Sequence, residues 1–201
     1  MKKYELTAEF IEKWGKKLFR IKALISFGSV EAGELGGYIE KEDNLAHDGN
    51  AWVSGDARVY GNAWVSGNAE VYGDARVSGD ARVYGNAWVS GDARVSGDAR
   101  VYGDARVCGD ARVCDDADYL LIGRIGSRFS FTTFFKNKDK GITVSCGCFL
   151  GTIAEFRAKV TDTHGNNKHA KMYNLAADMA ELQILGEEHF DKLNTNKSEP
   201  F

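Results

Sequence analysis

No apolar run in this 201-residue chain approaches the ~18 residues that a membrane span needs. The amino terminus, MKKYELTAEF, has two lysines but lacks the apolar segment of a secretory signal. A cytoplasmic protein with no membrane partner is therefore expected. Proline is nearly absent, at 1. The four cysteines, Cys108, Cys114, Cys146 and Cys148, are too few and too clustered for the disulfide framework of a small secreted domain, so free thiols are expected. Residues 49–118 contain no lysine and no histidine. The remaining composition, 43% hydrophobic with a formal charge of −3, is that of an ordinary soluble protein of one or two domains.

What the chain does have is glycine, 23 in all, most of it punctuating one repeat. GDARVYGNAWVSGNAEVYGDARVSGDARVYG, residues 55–85, spells G-[D/N]-A-x-V-x five times. Valine recurs at every sixth position from Val53 to Val113, and alanine stands two residues before each one, from Ala51 to Ala111. Alternation with period two turns each Ala and Val to one side and the residue between them to the other. Gly followed by Asp or Asn supplies a corner, because these residues tolerate turn backbone angles. Strand, corner, strand, corner describes a solenoid.

The repeat resembles the hexapeptide-repeat, left-handed parallel β-helix proteins, whose coils are triangular with three hexads per turn. The resemblance covers about residues 44–118, and a right-handed helix or a roll also accommodates the period. It implies that residues eighteen apart stack at ~4.8 Å, the spacing of neighbouring strands. One face then carries Arg58, Arg76, Arg94 and Arg112. A second carries Trp64, Arg82 and Arg100, and the third carries Trp52, Glu70, Trp88 and Arg106, with Tyr72 alongside. The lead into the repeat is similar to that of phage and bacterial hexapeptide-repeat proteins, which implies a mobile-element origin.

The expected organisation has four parts. Residues 1–48 form an amino-terminal cap, in which IEKWGKKLFRIKAL reads as a hairpin turning at Gly15-Lys16. Residues 49–118 form the β-helix. Residues 119–185 form a small α+β domain. Here DYLLIGRI, RFSFTTFF and GITVSCGCF read as three strands by their β-branched and aromatic content. GTIAEFRAKVTDTHG reads as a helix, with the capping-box pair Thr152 and Glu155 at its start. A second helix places Ala170, Tyr173, Ala177, Ala180 and Ile184 on one face. Residues 186–201 read as a polar tail. The fold class is thus mainly β: a left-handed parallel β-helix, a hairpin cap and a βββαα domain.

Many β-helices of the resembled kind are acyltransferases, and the γ-class carbonic anhydrases share the fold. Both uses would need coil histidines, and the transferases usually also a loop thrown out of a coil. No hexad from Gly49 to Val113 is interrupted. A transferase is accordingly the third reading, and His47 is placed in the inward valine slot of an incomplete first hexad, as part of a cap. The arginine column could meet phosphates, but residues 49–118 hold 7 Arg against 11 Asp plus Glu. Nucleic-acid binding through the solenoid is not expected. Outward tryptophans in columns instead suggest a protein interface at Trp52, Trp64, Glu70, Tyr72 and Trp88.

In the last domain, Cys146 and Cys148 fall on one side of a strand. With His164 and His169 they have too weak a spacing to assign a metal, and no cofactor is assigned. Small polar and basic residues at loop positions, namely Ser127, Arg128, Thr132, Thr133, Thr152, His164, Lys168 and His169, suggest a pocket for an anion or nucleotide. The leading expectation is a non-enzymatic binding protein acting by contact with a host protein or with itself as a homo-oligomer. The phage resemblance implies an inhibitor of host defence. The alternative is a module that sequesters a small phosphorylated ligand in the last domain.

Overall fold

The structure, a computed structural model, describes residues 1–188 and is mainly β. Most of the tail expected at 186–201 lies outside the described residues. The chain divides into two compact units, Met1–Asp116 and a second from Ala117 onward.

The first unit opens with a hairpin of β1 (Tyr4–Lys13) and β2 (Lys16–Ala23), followed by β3 (Leu35–Ile39). Trp14 and Gly15 make the turn, both with positive φ, as a two-residue hairpin loop requires. Among the described residues, eleven two-residue strands follow, β4 to β14, one per hexad from Trp52–Val53 to Arg112–Val113. They stack in parallel at an offset of eighteen: Arg58 on Arg76 on Arg94 on Arg112, Trp52 on Glu70 on Trp88 on Arg106, and Trp64 on Arg82 on Arg100. The three faces expected from the repeat are therefore the three sheets of a parallel β-solenoid. All the repeat alanines and valines are fully buried. Asn or Asp with a positive-φ glycine forms each corner. At Gly85 (φ 75°) a Cβ would come within 2.9 Å of the backbone nitrogen of Gly103 in the next coil, so the corner excludes any side chain there.

Two features of the first coil escape the hexad pattern. Tyr38 and Ile39 of β3 pair in parallel with Arg58 and Val59, so the coil begins at β3, within the stretch expected to be a cap. Gly37 takes the alanine slot because a Cβ there would sit 2.7 Å from the Ala57 carbonyl oxygen. Leu45 then bridges Val65 and fills the next valine slot. The step from Leu45 to Val53 is eight residues where the repeat uses six, and His47 and Asp48 are the surplus. The expectation that His47 fills a valine slot is thus corrected. Its ring stacks on Tyr4 at 4.4 Å, and its Nδ1 accepts from the Lys3 amide at 3.3 Å.

Flanking each two-residue strand, amides of one coil donate to carbonyls of the next, as from Trp52 to Ala69 and from Trp88 to Ala105. The first coil therefore presents carbonyls with no preceding coil to donate to them. On one face β2 pairs antiparallel with β3. On the second, the buried Lys3 ammonium donates to the carbonyls of Ala51 (2.8 Å) and Gly49 (3.4 Å). Burial pushes its pKa down to about 8, with Asp48 opposing the shift. On the third, the buried Tyr4 hydroxyl reaches the carbonyls of Leu45 (2.8 Å) and Glu42 (2.9 Å). Tyr4→Phe should lose about 1–3 kcal/mol, the cost of leaving buried acceptors without their donor. Urea denaturation followed by circular dichroism measures this, and a loss under ~0.5 kcal/mol would mean the cap is dispensable.

The second unit is a four-stranded antiparallel meander, β15 (Tyr119–Ile125), β16 (Ser130–Lys136), β17 (Ile142–Cys146) and β18 (Phe149–Thr152), followed by α1 (Ile153–His164) and α2 (Lys168–Leu185). GITVSCGCF yields two strands where one was expected, because Gly147 (φ 61°) turns the chain between Cys146 and Cys148. Both helices contribute to one core with the sheet: Phe134, Ile142 and Val144 pack with Phe156, Val160, Tyr173, Ala177 and Ala180. Thr152 and Glu155 cap α1 reciprocally, and the Asn167 side chain caps α2. Among the described residues, no helix is long and apolar enough to cross a membrane.

Candidate functional site

The aromatic column of the solenoid is only partly a surface. Trp52 is 5% exposed: Phe27 meets it edge-on at 5.4 Å and Tyr4 at 6.3 Å, so the non-repetitive lead covers it. Its expected role at an interface is corrected for that reason. Trp88 remains 37% exposed, with Tyr72 edge-on at 6.3 Å and the Arg106 guanidinium over its ring at 4.8 Å. Glu70 stands in register between Trp52 and Trp88 and is half-buried. Trp64 is exposed, but it belongs to a different sheet from Trp88 and cannot share a flat contact with it.

The residues expected to form an anion pocket divide in the same way. Ser127 and Arg128, in the β15–β16 turn, and His164, at the end of α1, line one cavity of about 170 Å³ in the second unit. The β17–β18 turn (Cys146 to Phe149) closes one side, and Phe156, Val160 and Tyr173 form an apolar wall. Lys159 and Thr163 lie at its edge, one helical turn apart on α1. Arg128 makes no ion pair among the described residues, whereas Lys159 reaches Asp162 at 3.1 Å. Gly147 keeps space beside Arg128, since a Cβ there would meet its Nη1 at 3.2 Å.

Thr132, Thr133, Thr152, Lys168 and His169 are outside this lining. Thr132 and Thr133 are buried in the middle of β16 rather than in a loop. The Thr132 hydroxyl lies 3.2 Å from the sulfur of Cys146, which does line the cavity. Thr152 is committed to its cap: its amide and hydroxyl both donate to the Glu155 carboxylate, at 2.8 and 2.9 Å. Those two bonds hold the Glu155 carboxyl below its ordinary pKa, so the helix start already holds an anion of its own. Lys168 begins α2 and is exposed. The His169 ring lies 5.8 Å from that of His164, and its Nδ1 is buried without a partner among the described residues.

The electrostatics of the wall are set by Tyr173. Burial first, and the adjoining Cys146 second, raise its phenol above the ordinary range, while Arg128 acts in the opposite direction. His164 stacks on the same ring at 5.8 Å. Reasoning from loops alone missed Phe156, Lys159, Val160 and Thr163. Their spacing on one face of α1 (i, i+3, i+4, i+7) is the signal that could have joined them to His164.

Comparison with known proteins bears on the solenoid. The family model described as YdcK beta solenoid repeat matches residues 51–67, 75–91 and 93–109, each within a residue of one full coil. No curated protein matches the chain. The matched coils are thus similar to a known β-solenoid repeat, and the repeat β-helix read from the Ala/Val period is the architecture both share.

Proposed function

We propose that this protein is a non-enzymatic binding module whose ligand site is the cavity of its second unit, and that the ligand is a small anion attached to an aromatic or apolar group. The observation that carries this reading is the pairing of the Arg128 guanidinium, which makes no ion pair among the described residues, with a wall of Phe156, Val160 and Tyr173. A guanidinium offers a planar fork for phosphate or carboxylate, and an apolar wall rewards a flat hydrophobic body. At about 170 Å³ the cavity is smaller than the ~300–1,000 Å³ typical of drug-sized ligands, which favours one headgroup over a dinucleotide.

Calorimetric titration with phenyl phosphate and with inorganic phosphate tests the reading. Phenyl phosphate should bind more tightly than inorganic phosphate. Arg128→Ala should weaken it roughly tenfold or more, the worth of one charge-assisted bond. Equal affinity of parent and Arg128→Ala for phenyl phosphate, or no heat at millimolar concentration, would refute it.

A second reading, contact with a partner protein through the solenoid, is favoured by one observation. Trp88, Tyr72 and Arg106 form a contiguous outward group with an aromatic centre and a cationic flank. Such groups supply large contact area with few torsions to freeze.

A further inference from the structure

The face of α2 that points away from its own core is apolar. Met172, Leu175, Met179 and Leu182 are all exposed, Leu175 at 63%. They lie on the opposite side of the helix from the buried Ala170, Tyr173, Ala177, Ala180 and Ile184. Their spacing of three, four and three residues is that of a two-helix seam, in which successive positions a and d face a partner helix. Solvent-facing helical positions normally carry polar side chains, and one large apolar residue there would need no explanation. Four in a single stripe along a helix about 27 Å long do.

The charges beside the stripe indicate what covers it. Lys168 and Lys171 are exposed at its amino-terminal end, while Glu187 and Glu188 are exposed just past its carboxy-terminal end. The acidic residues nearer the middle are already used: Asp178 and Glu181 both bind the Arg157 guanidinium at 2.7 Å. A surface that is basic at one end, acidic at the other and apolar between is complementary to itself when turned end for end. We propose that a second copy of this chain docks antiparallel on α2, making a twofold dimer whose seam is Met172, Leu175, Met179 and Leu182. In that arrangement Met172 meets Leu182 of the other copy and Leu175 meets its Met179. The lysine pair of each copy approaches the glutamate pair of the other. The contact is isologous, so it closes on itself and stops at two copies.

Sedimentation velocity on the full chain, from micromolar to tens of micromolar, tests this. The parent should sediment at twice the chain mass. Leu175→Glu places a charge in the seam without touching the core, and should raise the dissociation constant roughly tenfold or more while leaving the far-ultraviolet dichroism unchanged. A second set keeps the test independent of that substitution. Lys168→Glu with Lys171→Glu should weaken the dimer, and adding Glu187→Lys and Glu188→Lys should restore it. Restoration would establish the antiparallel register. A parent that stays monomeric overturns the proposal and leaves the stripe to another protein or to the chain's own last residues. A Leu175→Glu variant that remains dimeric overturns it too, as does a fourfold charge reversal that fails to recover association.

Discussion

Val77→Asp is expected to abolish cooperative folding of the solenoid unit. Val77 is fully buried and pairs in register with Val59 below it and Val95 above. Its surroundings are the other inward valines and alanines, none of which can donate a hydrogen bond from its side chain. An aspartate there must either stay charged, which costs far more than the ~5–15 kcal/mol that holds a domain together, or protonate and still bury an unsatisfied carboxyl. A stacked repeat makes matters worse, because each coil is stabilised only through its neighbours and a defect in the middle removes two interfaces. Thermal denaturation by circular dichroism should show no solenoid transition, or one lowered by tens of degrees. Arg82→Asp, five residues on and facing solvent, should change stability by under about 1 kcal/mol. A Val77→Asp protein that melts with the parent would sink the inward assignment of the valines.

Trp52→Ala is expected to cost about 3–5 kcal/mol, the range for truncating a large buried aromatic. Trp88→Ala, in the same column two coils away, should cost under about 1 kcal/mol. The difference arises from what covers each ring: Tyr4 and Phe27 enclose Trp52, whereas Trp88 has Tyr72 and Arg106 beside it and water beyond. The Trp52 indole N–H is buried with no acceptor among the described residues. Trp52→Phe should therefore be much milder than Trp52→Ala, since it keeps an aromatic body and removes an unpaired donor. Denaturant midpoints of the three variants decide the matter. Equal losses for Trp52→Ala and Trp88→Ala would mean that the lead does not pack on the first coil.

The contrast between these two tryptophans also shows how far the sequence could be read. A period of six with Ala and Val at fixed places determines which residues face in, and an offset of eighteen determines which stack. Both follow from backbone geometry, which repeats whenever the sequence does. Tyr4 and Phe27 belong to a segment with no period, so nothing in the sequence placed them over Trp52 rather than Trp88. The same cause hid the first coil, where Gly37 replaces alanine and two surplus residues stretch the step to Val53. In the second unit both helices were legible from their caps and apolar faces. The cavity was not, because it depends on a hairpin at Gly147 that brings Cys146 and Phe149 opposite α1, and tertiary approach of this kind leaves no local mark. Thr132 and Thr133 were misread for a simpler reason: a polar pair suggests a loop, yet in β16 both threonines are buried.

The in-register parallel stacking of near-identical coils gives the solenoid the chemistry of a growing polymer. Each coil ends in backbone donors and acceptors that template the next, so nothing within the repeat says how many coils there should be. An insertion of eighteen residues would lengthen the rod and keep every face aligned, while one of six would rotate everything after it by a third of a turn and set the arginine column against the tryptophan column. Length is therefore decided only where growth is terminated. At the first coil, beside the face that β2 covers, one ammonium and one phenol hydroxyl, from two consecutive residues, occupy carbonyls that a second rod would need in order to add head to tail. Lys3 and Tyr4 are in this sense chain stoppers, and they let a self-templating surface exist in a cell without becoming a fibre.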